Sequence, residues 1–503
     1  MLPSISQAKA ATGGPKAAAK AQGSGRFHLE KLGPQGNFVE YSKSETVDGC
    51  HVAFLVLVEP TGYAVELDGR TGPKLDYIEK GTMVFSPDGK RLAYVGMHGK
   101  KWVVVVDGQV GPEYDGLQQG AIVFSGDSKH VAFVATEKNG QGGVEDCEVI
   151  KDGLVAAKYK YVAPDSIRMS TDGAHLAFYI GGSRIFTHAA VVDGKVGPDY
   201  DFIKDLLLSA DGAHVAYAAS LSTTLNQAVM VVDGQAGAVY EDIGYGEFDN
   251  DGVVSSPDGT RVAYEAQLGG KHLVVVDGQA GSAYQAIVRN SLIMSADGRR
   301  VAYLAQTSAN KFVAVVDGQP GEEYDGISGL VFSLDGAQVA YVARKAAKYE
   351  AVVNGHAKEY DAVADLVFSA NGKHLGYLAQ SGTKVFAVVD GKNGPEFDSL
   401  AGITFSPNSK RVAYAAKKDS KWLVVADGQP GPEYDSILSK IAFNADGTRL
   451  AYVGNLGKKC FVNLNGRVGY ACEAIACGPI WEKDGTMECL ALDKDTLYRV
   501  TMK

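Results

Sequence analysis

Residues 402–435 read GITFSPNSKRVAYAAKKDSKWLVVADGQPGPEYD, a stretch in which every turn is marked. Ile403 to Ser406 is short and β-prone, and Pro407 to Lys410 turns it back into Arg411 to Ala416. Lys417 to Lys421 is a polar turn before Trp422-Leu423-Val424-Val425-Ala426, which stops at Asp427-Gly428, a dipeptide suited to a two-residue hairpin. Pro430-Gly431-Pro432 then delivers Glu433 to Ile437, where apolar and polar residues alternate with period two. The stretch predicts four antiparallel strands in chain order. Helical periodicity is absent, and Gly and Pro at this density would break a helix.

The phrase returns every 36–47 residues from one end of the chain to the other. WVVVVDGQVGPEY at 102–114 matches WLVVADGQPGPEY at 422–434, and FSPDGKRLAY at 85–94 matches FSPNSKRVAY at 405–414. The turn residue of the first hairpin falls at Asp48, Asp88, Asp127, Asp172, Asp211, Asp258, Asp297, Asp335, Asn371, Asn408, Asp446 and Asp484, which makes twelve repeats. The third-strand turn occurs eleven times, at Asp107, Asp317 and Asp427 among others, so the last repeat lacks its ending. Residues 33–39 stand as an orphan fourth strand at the front and are expected to complete the last repeat.

Units of this size cannot bury an apolar face alone and must stack. Four-stranded antiparallel units that cover one another close into a β-propeller, which leaves only short edges. The fold expected is therefore an all-β propeller of twelve four-stranded repeats. Propellers typically carry about four to eight blades, which favours two rings of six over the alternative of one ring of twelve. The longest link between repeats, Tyr240 to Ser256, marks a crossing between rings near residues 241–256.

The sequence FSPDGKRLAY at 85–94, with its counterpart at 405–414, resembles the F-S-P-D-G-K-x-[IVL]-A-[YF] hallmark of WD-repeat-like bacterial β-propeller repeats. The resemblance covers nearly the whole chain. Related propellers are the TolB-like translocation protein and the regulatory domain of prolyl-oligopeptidase-type enzymes. A peptidase of the latter kind would also need an α/β-hydrolase domain, and here the repeats take up the chain.

Composition sets the outer bounds. A net charge of -10 argues against a partner held through phosphates. No run of about 18 apolar residues occurs, so no membrane-spanning helix is expected. Residues 1–25, rich in Ala, Lys and Gly, read as a flexible tail lacking the apolar core of a secretory signal; this leans toward the cytoplasm and leaves a periplasmic or extracellular place open. Cys460, Cys472, Cys477 and Cys489 crowd into the C-terminal repeat at spacings of 12, 5 and 12, unlike the close pairs of a zinc site. Buried thiols, or one or two disulfides at the closure, suit them better. No metal and no cofactor is expected.

Catalysis needs one constellation, whereas here every unit is alike. No metalloprotease, nucleophile-elbow or phosphate-loop signature is present. The turn residues Asp88, Asp258 and Asp297, like Asp107, Asp317 and Asp427, read as structural caps. His51, His130, His175, His214 and His374 share a repeat position with Arg91, Arg261, Arg300, Arg411 and Arg449, which points to donors to a turn aspartate rather than catalytic bases. Tyr114-Asp115, Tyr200-Asp201, Tyr324-Asp325 and Tyr434-Asp435, echoed by Tyr360-Asp361 and Phe397-Asp398, are the binding candidates, since aromatic plus carboxylate around a rim could grip a sugar, a cationic peptide or a protein. Packing of the ring between blades is the competing explanation. The function expected is a non-enzymatic binding or scaffolding module with a protein, peptide or glycan partner. Its site would lie in divergent loops such as 136–148, 220–227 and 242–253. The alternative is a carbohydrate-active hydrolase or lyase using Glu145, Asp146, Glu241 or Asp242 in a central channel.

Overall fold

The computed structural model describes residues 28–503 apart from 35–37, 46–51, 59–60, 68–69, 119–121, 139–143, 164, 184–186, 223–225, 245–251, 483 and 495. The expected tail at 1–25 and the turns at Asp48 and Asp68 lie outside the described residues. All regular structure described is β, arranged as twelve small antiparallel sheets in one ring. Blade 8 shows the plan. Gly326–Phe332, Val339–Lys345, Lys348–Val353 and His356–Tyr360 pair in chain order. First strands of neighbouring blades touch one another, as 326–332 touches 362–368 and 362–368 touches 399–405, so they form the inner wall; the fourth strands carry the most exposed residues and form the rim.

The second and third strands are short apolar runs buried on both faces, as in Leu92–His98 and Lys101–Val106, because a blade is covered on either side by its neighbours. Asp107 and Gly108 both adopt positive φ (52° and 76°), the geometry of a two-residue hairpin whose twist suits the flanking strands. The turn at Asp88 is held differently. Its carboxylate accepts the Ser86 hydroxyl at 2.7 Å and the Lys90 amide at 3.1 Å, and Gly89 takes φ 72°.

The fourth strand starts sooner than expected. It follows the turn directly, as Gln109–Tyr114 in blade 2, and in blade 10 Gln429–Pro430 is continued by a bridge between Trp422 and Tyr434. Ser436–Ile437 instead opens the next blade, pairing with Asn455 and Gly454. Pro432 suggests a turn in the sequence, but a rim edge with a register shift, such as that between Val110 and Glu113, tolerates proline. The rim glycine has a specific task. A Cβ on Gly431 would stand 3.1 Å from the Tyr452 hydroxyl of the next blade and 3.1 Å from the Val424 carbonyl, and Gly321 and Gly394 meet Tyr341 and Tyr414 in the same way. The Tyr of V-A-Y in one blade thus reaches the Gly of G-P-E-Y in the blade before it.

Closure is made by the N-terminal strand, as expected, but at His28–Pro34 rather than 33–39; it pairs antiparallel with Thr496–Met502, the third strand of the last blade. Arg499 fastens it, with Glu30 at 2.9 Å and Glu488 at 2.7 Å. The two-ring arrangement is corrected. Two rings would separate blade 5 from blade 6 and blade 11 from blade 12, yet Ala218, Met230 and Tyr240 share a core with Val262 and Tyr264, and Val453 and Cys460 share one with Met487 and Cys489. The long link near 241–256 is no crossing. Asp242–Ile243 and Val253–Ser255 both pair with Val262–Leu268, so the extra residues interrupt the inner strand of blade 6. Cys460 and Cys472 are buried free thiols, and burial pushes Cys472 up to about 12; Cys489 is buried too, and the side chain of Cys477 lies outside the described residues.

Candidate functional site

Chain order places the S-x-D-G and D-G turns on one face of the ring, and the second-to-third-strand turns with the links between blades on the other. On the first face, the Asp107 carboxylate accepts the Leu92 amide at 3.1 Å and the Arg91 Nε at 2.8 Å, while Arg91 also donates to the Ser128 and Lys129 carbonyls of the next blade. Arg300 with Asp317 and Arg411 with Asp427 repeat this arrangement. In blades 3, 4, 5 and 9 the donor is a histidine: His130, His175, His214 and His374 meet Asp152, Asp193, Asp233 and Asp390 at 2.7–2.8 Å. Asp258 and Asp297 cap their turns through Ser256 and Ser295, just as Asp88 does through Ser86. The arginines thus reach across the seams, while the histidine pairs and the Ser–Asp caps tie turns within a blade.

The Tyr-Asp pairs lie on the second face, and the two halves of each pair separate. Tyr200, Tyr324 and Tyr434 are buried in the seams, edge-on to Tyr217, Tyr341 and Tyr452 of the following blade at 6.1–6.3 Å, and half-buried Tyr114 meets Phe133 at 5.7 Å. The Tyr434 hydroxyl accepts a hydrogen bond from Asn463 at 2.9 Å. The aspartates reach the surface. Asp115 accepts Lys101 Nζ at 2.5 Å and the Lys138 amide of the next blade at 3.1 Å. Asp325, Asp361, Asp398 and Asp435 do the same with Lys311, Lys348, Lys384 and Lys421 and with an amide of the neighbouring turn. Pairing with Lys101 holds the Asp115 carboxyl below its usual range. The Asp201 amide donates to the Ser220 carbonyl. The rim thus presents carboxylate–lysine pairs, with the aromatic rings turned inward.

Of the carboxylates considered for saccharide chemistry, Glu241 sits at the same staple position and accepts the Gly269 and Gly270 amides. Asp146 pairs with Lys160 at 2.9 Å, and Asp242 accepts the Ile243 amide at 2.8 Å. The side chain of Glu145 lies outside the described residues, as do parts of all three divergent loops. No three His, Cys, Asp or Glu side chains gather as a metal site among the described residues.

Three departures from the repeat were missed in the sequence. Glu265 is 2% exposed at a position that holds Val95, Leu304, Leu378 or Val453 elsewhere, and His272 Nδ1 lies 2.7 Å from its Oε1. Aligning the V-A-Y-x segments shows it: Glu265 is the charged residue in that column. Leu221 (42% exposed) and Leu268 (52%) stand on the second face of adjacent blades, at a position that Leu456 (45%) holds in blade 11 and Lys345, Ser381 and Lys418 hold in others. Finally, a cavity of about 480 Å³ opens between blades 10 and 11, lined by Gly402, Thr404, Ala415, Trp422, Ser436 and Lys440 among others.

The fold defines the class: this chain is a β-propeller of twelve blades. No protein-family model matches it, and no curated protein does. Among solved structures, a eukaryotic initiation factor matches at 13% identity over 83% of this chain and 97% of its own, with a TM-score of 0.36. TolB from Acinetobacter baumannii matches at 21% identity over 46% of this chain and 63% of its own (TM-score 0.25). The β-propeller domain of the trilobed protease from Pyrococcus furiosus matches at 13% identity over 55% and 95% (TM-score 0.27).

Proposed function

We propose that the ring is a non-enzymatic binding module that presents its second face to a protein or peptide partner, and that its units belong with the WD-repeat-like bacterial repeats on the strength of FSPDGKRLAY and its copies. One observation carries the functional reading. Leu221 and Leu268, on adjacent blades 5 and 6, are exposed at a position where blades 8, 9 and 10 hold Lys345, Ser381 and Lys418; Leu221 lies within the divergent segment 220–227, and the strand of Leu268 pairs with Asp242–Ile243 at the start of segment 242–253. Exposed apolar groups beside irregular loops suit the centre of a contact patch, and the neighbouring carboxylate–lysine pairs supply a polar rim. Hydrolysis of a saccharide is the second reading; what is seen of Asp146, Glu241 and Asp242 favours structural partners over a reacting bond.

The test is a comparison of partners captured by the wild-type ring and by the variant L221K/L268K, which copies the side chain of blades 8 and 10. A partner retained by wild type and by L456K in blade 11, and lost from L221K/L268K, supports the patch. Identical capture by all three proteins contradicts it.

A further inference from the structure

The cavity between blades 10 and 11 opens beside Ala415; alanine alone does not make such a space, since Ala218 at the same place in blade 5 belongs to the core of its seam. At the seams of blades 2 with 3, 7 with 8 and 9 with 10, Val95, Leu304 and Leu378 fill the space and belong to the apolar cluster of the seam. The same place in blade 10 holds Ala415, which is absent from the corresponding cluster of Ala413, Val424, Tyr434, Leu450 and Tyr452. Behind it Trp422 is half-buried, and a Cβ on Gly402 would meet nothing within 4 Å, so the inner wall is open here. Thr404, Ser436 and Ser439 line the opening, and exposed Lys440 is the charged residue among its walls.

We propose that this seam is a binding site for a small aromatic anion, a flat carboxylate or sulfonate. An indole face with small neighbours takes a planar apolar body, and pockets of this size accommodate small organic ligands. Lys440 supplies the matching charge, and the Ser436 hydroxyl can orient an anionic oxygen, whereas Ser439 already donates to the Lys440 carbonyl. Because no acidic residue is among the described residues that line the walls, an anion meets attraction without a repelling partner there.

The test uses the full chain and 1-anilinonaphthalene-8-sulfonate, followed by its own fluorescence and by quenching of tryptophan emission, with neutral N-phenyl-1-naphthylamine as the uncharged comparison. Saturable binding at one site per chain is expected. Ala415→Leu, which restores the residue of blades 7 and 9, should weaken both probes at least tenfold with an unchanged circular-dichroism melt. Lys440→Gln should weaken the sulfonate severalfold and leave the neutral probe unaffected. Absence of saturable binding, or sulfonate affinity unchanged in Lys440→Gln, overturns the proposal. If Ala415→Leu fails to fold, the exposed Lys440→Gln comparison decides alone.

Discussion

At the scale of single residues, many ionisable groups of the two faces pair within a blade and reach backbone groups of the next, and they set how the ring responds to pH. The hydrogen bond that His175 donates to Asp193 raises its pKa above the ordinary imidazole range, and the bond to Asp233 does the same for His214. A pKa raised on folding contributes stability that is complete below about pH 6.5, the unfolded value, and is lost as pH rises through the folded value. The aspartates behave oppositely. Lys101 depresses Asp115, Lys348 depresses Asp361 and the Ser86 hydroxyl depresses Asp88, so their contribution is complete above about pH 3.9 and is lost as pH falls through their lower folded values. The melting temperature in low salt is expected to decline on both sides of a mildly acidic plateau. In H175R/H214R, which carries the arginine of blades 2, 6, 7 and 10, the alkaline decline should flatten; an unchanged slope would show that these histidines do not govern it.

At the scale of strands and seams, the repeat phrase made the hairpins legible. Asp-Gly fixed the third turn and S-x-D-G the first, because each needs a residue that tolerates positive φ or accepts local amides. What stayed hidden depends on neighbours. Tyr434 read as a rim aromatic, yet the following blade supplies Tyr452 to cover it. Ala415 carries no mark of its own in the sequence, and the space beside it shows only against the packed seams that hold Leu304 and Leu378. Glu265 is the sharper case, a carboxylate in an apolar column whose hydrogen bond to His272 crosses strands. His272→Phe should destabilise the chain by about 1–3 kcal/mol, since it takes a partner from a buried charged group. The double variant E265L/H272F, which copies Leu304 and Phe312 of blade 7, should recover most of that loss in urea unfolding. Additive losses in the double variant would show that the carboxylate has a role apart from the histidine.

At the scale of the whole molecule, blade number was legible and ring number was not. Counting turns gives twelve units, but closure into one ring or two depends on the rotation between neighbours, about 30° per blade for twelve against about 60° for six, and seam packing sets that rotation. Apolar contact runs through the junctions of blades 5 with 6 and 11 with 12, and the strand His28–Pro34 joins the chain's two ends within one sheet. Negative-stain electron microscopy of the purified chain tests this most directly. Class averages should show one ring with twelve radial spokes around an open centre; two joined rings of six would contradict the account.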